Sequence, residues 1–584
     1  MNIVVDTVES HRIIVGMHIH LVPNRGSPPA ALLRESYREG KRVRKRTLAN
    51  LSSLPMDQIE SIRRILKGDR LVAVETLFEV VASSHHGHVQ AVRSAMKQLS
   101  FENLIASRPS RERDLVVAMV VARVLEPHSK LATTRWWQTT TLAEDLGVSD
   151  ATEDELYTAM DWLFKHQSRV EKKLAVRHLD PGSLALFDLT SSYFEGVRCP
   201  LAALGHNRDG KKGLLQVNYG LLTNAGGCPI SVSVYPGNTG DPKTLLPTVR
   251  KIREEFGLTS LVLVGDRGMI SQKQIRQMKD LEDLEWITAL KTGQIRKLME
   301  GGAIQLGLFD ERNLFELSHP DYPGERLVVC RNPLMAERRA RKRQSLLEAT
   351  QRELLKVRGM AGRGRLKDKA KIGVRVGRVV NKYKVAKHFE LEIRDDGFDF
   401  RLLEEKVTAE AALDGLYVIR TSLPPERLDT ADTVRSYKLL SNVERAFRCM
   451  KTVDLKVRPI HHHLEGRVRA HIFLCMLAYY VEWHMLEAWR ELLFADEDQE
   501  AKRTRDPVAP AKRSIKALQK VASHELEDGT EVHSFRTLLK DLGTIVRNTC
   551  RRKHASASEG TFQITTTPNV RQQRALDLLE KIRV

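Results

Sequence analysis

Apolar positions along this chain change period several times, and each change marks an expected element. His11 to Val22 alternates as a strand does, and Arg34 to Leu51 reads as another, heavily basic strand. Pro55 to Lys67 takes helical spacing. Ile59, Ile62 and Leu66 share one face there, Asp57 and Glu60 come early, and Arg63, Arg64 and Lys67 come late, which suits the helix dipole. From Val89 to Leu179 the pattern stays helical. Asp114 to Leu125 is strongly apolar and stops at Glu126-Pro127. Thr152 with Glu155 forms a capping-box signature ahead of Leu156, Met160 and Leu163. Trp136 and Trp137 are expected in the core rather than stacked on bases.

The texture changes at Pro181. Leu184 to Leu189, Leu214 to Leu222 and Pro229 to Tyr235 read as strands, and Pro242 to Phe256 as a helix. A strand (Leu261 to Gly265), a helix (Gln272 to Lys279) and a strand (Trp286 to Leu290) follow. This order predicts a mixed sheet of the α/β class. Ile295 to about Thr430 breaks the rhythm and reads as an insertion. It holds a basic helix around Arg338 to Lys356 and strands expected at Ile372 to Val380, His388 to Ile393 and Leu416 to Arg420. Long helices are expected at Asp432 to Met450 and Arg467 to Leu493. Ala495 to Ser514 reads as a charged, proline-containing linker, and a further helix is expected near Phe535 to Arg547.

Composition narrows the partners. The chain has 584 residues, 94 Lys plus Arg against 74 Asp plus Glu, a net charge of +20 and a pI near 9.6. Such an excess calls for a polyanion, nucleic acid before a membrane surface. The longest apolar run, Ile472 to Leu486, is broken by Glu482 and His484 and falls short of a bilayer span. The N-terminus has no basic, then apolar, leader pattern. Six scattered cysteines without a CxxC pair indicate neither a disulfide framework nor a zinc ribbon, so a cytoplasmic location is expected.

Two carboxylates stand out chemically. Asp188 interrupts one apolar strand and Asp266 ends another. A lone carboxylate in a core strand is costly unless it is partnered or holds a metal. Turn capping accounts for either residue alone, but two on neighbouring strands of one α/β unit suggest a divalent site. Oxygen-only ligands suit magnesium or manganese, and a pair of ions suits phosphodiester chemistry. In the helix that follows the insertion, Leu439, Val443, Phe447 and Met450 form an apolar stripe. Tyr437, Glu444, Arg448 and Lys451 fall on the adjacent one. On periodicity alone, an ordinary Glu444–Arg448 pair on a solvated face is the favoured reading. His461, His462 and His463, with His471 nearby, invite a metal label. Adjacent residues point in different directions, however, which disfavours one ion held by all three.

Taken together these segments resemble the DDE transposases of bacterial insertion sequences, the large group with the signature Y-(2)-R-(3)-E-(6)-K. Here that signature reads Tyr437, Leu440, Glu444 and Lys451, with leucine where the arginine stands. FDLTSSYFEG around Asp188 and VGDRGMIS around Asp266 are similar to the family's two Asp motifs, and QVNYGLLTNAGGCPISVSVYPGNTGD to the stretch linking them. The resemblance implies an RNase-H-like core with a β-rich insertion, behind a mainly helical N-terminal region. It also implies that Asp188, Asp266 and Glu444 are catalytic metal ligands for magnesium or manganese, with two ions expected. Tyr437, Arg448 and Lys451 are expected at DNA, and Arg448 is expected to supply the phosphate contact that position 440 lacks. The basic run Arg42, Arg44, Lys45 and Arg46 is expected at DNA too.

The expected domains are a DNA-binding region at 1–85, a helical domain at 86–180, and a catalytic core at 181–294 with 431–493. An insertion at 295–430 and a linker and tail at 494–584 complete the chain. The expected partners are double-stranded DNA at terminal inverted repeats and target sites, and a second copy of the chain when ends are bound. A DNA-binding protein that no longer cuts and a structure-specific nuclease on the same fold are the alternatives.

Overall fold

The computed structural model describes residues 13–69, 77–196, 198–279, 284–305, 307, 309, 312–553 and 560–584. His11 and Arg12 of the first expected strand lie outside them. The chain forms two compact units, Met1–Ser83 with Asn548–Ile564, and Ser84–Arg547 with Thr565–Val584.

In the smaller unit, β1 (Ile13–Asn24), β2 (Ser27–Glu39) and β3 (Arg42–Asn50) form an antiparallel meander. The single strand expected from Arg34 to Leu51 is therefore a hairpin. Gly40, at φ +60°, takes the left-handed turn that an ordinary side chain resists. Helix α1 (Met56–Leu66) lays Ile59, Ile62 and Leu66 against Ile19, Leu21, Ala31 and Leu33. Strand β3 is exposed along its whole length.

The larger unit begins with helices α2 (Gly87–Gln98), α3 (Arg111–Leu125), α4 (Glu153–Lys165) and α5 (Gln167–His178). The capping box at α4 is complete. Glu155 N donates to Thr152 Oγ1 at 3.3 Å, and Thr152 N donates to the Glu155 carboxylate at 2.9 Å. Trp137 is wholly buried and Trp136 packs against the core, as their expected packing role requires.

An eight-stranded sheet follows. It is built from β4 (Leu184–Tyr193), β5 (Gln216–Asn224), β6 (Pro229–Pro236), β7 (Leu261–Gly265), β8 (Leu284–Ala289), β9 (Leu314–Leu317), β10 (Arg326–Arg331) and β13 (Leu416–Thr421). Their order is β9-β10-β13-β8-β7-β4-β5-β6. Strands β4, β5 and β6 run antiparallel, whereas β7 and β8 run parallel to β4, the pattern of an RNase-H-like core. Helices α6 (Pro242–Arg250) and α7 (Gln272–Lys279) connect its strands.

The insertion contributes three strands to this sheet and carries an outlying lobe. That lobe comprises α8 (Pro333–Gly362), α9 (Lys369–Tyr383) and the hairpin β11 (Phe389–Ile393) with β12 (Phe398–Leu402). The strand expected at Ile372 to Val380 is helix α9. Its Ile372 and Val376 are buried against α8 residues such as Leu354 and Val357, whereas Val374 is 58% exposed.

Beyond the insertion the expected single helix Asp432 to Met450 is divided. Helix α10 (Thr430–Lys438) and helix α11 (Leu440–Arg448) meet at Leu439, and a π-helical turn, Cys449–Val453, follows α11. Helix α12 (Glu465–Ala488) is apolar on nearly every face because α3 and α4 pack on one side and β6 on another. Helix α13 (Phe535–Leu542) joins the same core. Among the described residues, no helix is long and apolar enough to cross a membrane.

Candidate active site

Register fixes the first two carboxylates. Strands β4 and β7 pair in parallel through Phe187↔Gly265, and the next residue on each is Asp188 and Asp266. Neighbouring strands lie about 4.8 Å apart, so these two acids leave the sheet side by side. Asp188 is half-buried and accepts from its neighbour Leu189 N at 2.8 Å. Asp266 is exposed where the chain turns, and accepts from Arg267 N at 2.6 Å.

Helix α11 brings the third acid. Its buried residues Val443, Ala446 and Phe447 face β4 and β5, and the Phe447 ring meets Tyr219 edge-on at 5.9 Å. This leaves Glu444 exposed beside the sheet ends. The charges converge on Asp188, whose carboxyl is pushed up to about 7. Burial is the largest cause, and the negative charges of Asp266 and Glu444 add to it, against the Leu189 amide and the Arg208 guanidinium. Tyr437 sits at the same place. It is half-buried, and its hydroxyl is pushed up to about 12 by burial and then by Asp266, with Asp188 and Glu444 adding to the effect.

Other expected site residues part company. Arg448 is exposed one turn beyond Glu444, and no salt bridge joins the two among the described residues. Leu440 packs against the core. Lys451 is 8% exposed and faces inward, with Nζ donating to Asp209 at 2.8 Å. The π-helical turn explains the difference. Its i→i+5 bonding advances each residue by less than an α-helix does, so Lys451 leaves the Glu444 stripe. Arg42, Arg44, Lys45 and Arg46 all lie on exposed β3, where alternation puts the three arginines on one face and Lys45 on the other. The histidines do not gather. His461 approaches Glu195, and His462 lies against buried His471.

The sequence reading missed Arg208, Asp209 and Asp241. Asp209 is a hub whose side chain is 2% exposed. It accepts from Tyr193 N at 3.0 Å, from Lys451 and from Arg458, tying the helix end to β4. Arg208 pairs with Asp241. A Cβ placed on Gly268 would lie 3.4 Å from Asp266 Oδ2 and 3.7 Å from Asp241 Oδ2, so a fourth carboxylate borders the site. The polar NRDG loop before β5 was the available signal. Lys451→Met is expected to leave Asp209 with Arg458 and to cost about 2 kcal/mol, less than the ~3–5 kcal/mol of a buried pair losing its only partner. Thermal unfolding checks this, and an unchanged Tm would deny the lysine a structural role.

The mixed sheet, with β4, β5 and β6 antiparallel and β7 and β8 parallel to β4, defines an RNase-H-like fold. Residues 187–481, just over half of the chain, match the transposase DDE domain family. Residues 21–73 match the N-terminal domain of the IS1634 family transposases. The chain belongs to the DDE transposases of bacterial insertion sequences, and its activity is DNA transposition. Among solved structures it is similar to a cryo-EM structure of the piggyBac transposase synaptic complex with hairpin DNA. The two share 9% identity over 78% of this chain and 76% of that one, with a TM-score of 0.34. No curated protein matches the sequence.

Proposed function

We propose that Asp188, Asp266 and Glu444 are the catalytic carboxylates, and that they hold magnesium or manganese, two ions in the working complex. The observation that carries this is the convergence of Asp266, from the adjacent strand's end, and Glu444, from one helix, on Asp188. The donor set is oxygen alone, which fits a hard divalent cation. Burial, with Asp266 and Glu444 adding, drives Asp188 towards its neutral form despite Arg208, and a bound cation would offset that. When bound, such ions lower the pKa of an attacking water and compensate the leaving 3′ oxygen.

The chain's own groups orient the DNA. The Tyr437 hydroxyl stays protonated and can donate to a phosphate. Arg448 projects a guanidinium suited to two phosphate oxygens. Arg208, held by Asp241, brings positive charge to the buried side of the site. Lys451 and Asp209 keep α11 in place on β4. A labelled end oligonucleotide tests the reading. Metal-dependent cleavage and strand transfer support it, whereas end binding without any metal-dependent cleavage overturns it. Arg448→Ala is expected to lower strand transfer about 10- to 100-fold, in line with the ~1.5–3 kcal/mol of a charged hydrogen bond. Full activity in that variant would remove Arg448 from the site. Inactivity of the parent, rescued by Leu440→Arg, would mark a decayed enzyme.

Residues 1–180 supply much of the recognition of the terminal inverted repeats in this proposal, with the arginine face of β3 on the phosphate backbone and a second copy of the chain on the other end. End binding should then fall steeply with salt. Neutralising Arg42, Arg44 and Arg46 should flatten the slope of log K against log salt by about 0.9 for each phosphate no longer neutralised. A slope unchanged in the triple variant would place recognition elsewhere.

A further inference from the structure

Away from the carboxylates, three metal-ligating side chains meet from separate parts of the chain. His178 ends α5, Cys228 lies in the turn between β5 and β6, and His484 stands on α12. Their potential ligand atoms all lie within 4.8 Å of one another. Cys228 Sγ is 3.8 Å from His484 Nε2. Zinc bonds of about 2.3 Å to sulfur and about 2.0–2.1 Å to nitrogen, at a tetrahedral angle, separate two such ligands by about 3.6 Å. The pair is thus close to a coordination edge already.

Each ligand is in a fitting environment. Cys228 is wholly buried, His484 is 6% exposed, and His178 is half-buried. Burial holds His178 down at about 4, with Arg177 adding to the effect. It holds His484 down at about 3, with His178 and Arg177 adding, so both rings are neutral and can ligate. Burial pushes the Cys228 thiol well up, whereas the Arg177 charge favours its thiolate. The Tyr480 hydroxyl lies 3.1 Å from His178 Nε2 and accepts from Arg177 Nη1 at 3.1 Å, an outer partner that fixes the ring.

We propose that His178, Cys228 and His484 bind one zinc ion that staples α5, the β5–β6 turn and α12 together. The ion displaces the Cys228 thiol proton to solvent and forms a sulfur–zinc bond, and the two neutral imidazoles release nothing. One proton per ion therefore leaves the protein. The three side chains leave the fourth tetrahedral position to a water, and the ion's role is to hold together the helices and sheet that pack around it, away from the carboxylates.

A second cluster, Cys449, Asp454 and Glu482, also has its ligand atoms within 4.8 Å. There Asp454 already accepts from Arg536 Nε at 3.2 Å. Glu482, wholly buried, is pushed well up by burial and by Asp454. A metal would have to displace an arginine and remove two protons, so this cluster serves as the control.

The test uses the full chain, stripped with chelator and titrated with cobalt(II). The expected result is a thiolate-to-cobalt charge-transfer band that saturates at one equivalent and that one equivalent of zinc(II) erases. Oxygen-only carboxylate sites give no such band. Cys228→Ser should abolish the band and Cys449→Ser should keep it. His178→Asn, at a half-buried helix end, should weaken cobalt binding at least 10-fold. Absence of the band in the folded wild-type chain overturns the proposal. So does a band that survives Cys228→Ser, or one that vanishes in Cys449→Ser instead.

Discussion

Asp188→Asn is expected to lower cleavage and strand transfer at least about 10³-fold, roughly 4 kcal/mol of transition-state stabilisation, while end binding stays near wild type. The reason is geometric. Asp188 is the residue on which the charges of Asp266 and Glu444 both act, so the amide would remove one ligand of the proposed metal site and keep the shape of β4. Binding of labelled ends by gel shift, beside metal-dependent cleavage of the same DNA, separates the two effects. Retained cleavage would refute the assignment of Asp188, and joint loss of binding and cleavage would show that the variant had damaged more than the chemistry.

The same residue sets a pH dependence of stability. Asp188 is raised from an ordinary 3.8 to about 7 in the folded chain. The folded state therefore binds its proton more tightly than the unfolded state does. The stabilisation is fully present below about pH 4 and is lost as pH rises to about 7, amounting to at most about 4 kcal/mol. Metal-free wild-type protein should lose Tm across that window relative to Asp188→Asn, which lacks the titrating group. At pH 8 the variant should be the more stable of the two, and added magnesium should raise the Tm of the wild type more than that of the variant. Parallel Tm curves for the two proteins between pH 4 and 8 would show that Asp188 is ionised throughout. Comparing the two cancels the opposite slope from buried histidines such as His471, which are held neutral by burial.

Much of the architecture was written in local patterns. The apolar strands Leu184 to Leu189 and Leu261 to Gly265 could only be buried, and their pairing places Asp188, within the first, beside Asp266, just past the second. The Ile59, Ile62 and Leu66 stripe and the Thr152 capping box are short-range signals, and the structure contains both. Where local pattern misled, a competing geometry won. Ile372, Val374 and Val376 alternate like a strand, but the Ile372/Val376 spacing also fits a helix, and packing against α8 decided it. A helical wheel cannot show a π-helical turn, so Lys451 turned inward unforeseen. Arg208, Asp209 and Asp241 are joined to the site only through residues far away in sequence, and no periodicity announces such meetings.

The way the insertion is hung sets how much change each of its parts can bear. Strands β10 and β13 are antiparallel neighbours, paired at Arg331↔Leu416, where the chain departs into the α8–α9 lobe and returns. The lobe has its own apolar centre, with Leu354, Val357, Ile372 and Phe389 at its heart. It thus occupies the tip of a hairpin, the position at which a chain gains or sheds material with least disturbance. Strands β9, β10 and β13 are another matter. Strand β13 hydrogen-bonds to β8, and losing it would bare the backbone of a central strand to other chains. The insertion is therefore two layers of different tolerance, an outer lobe that can change with little disturbance and an inner set of strands whose loss would open the central sheet.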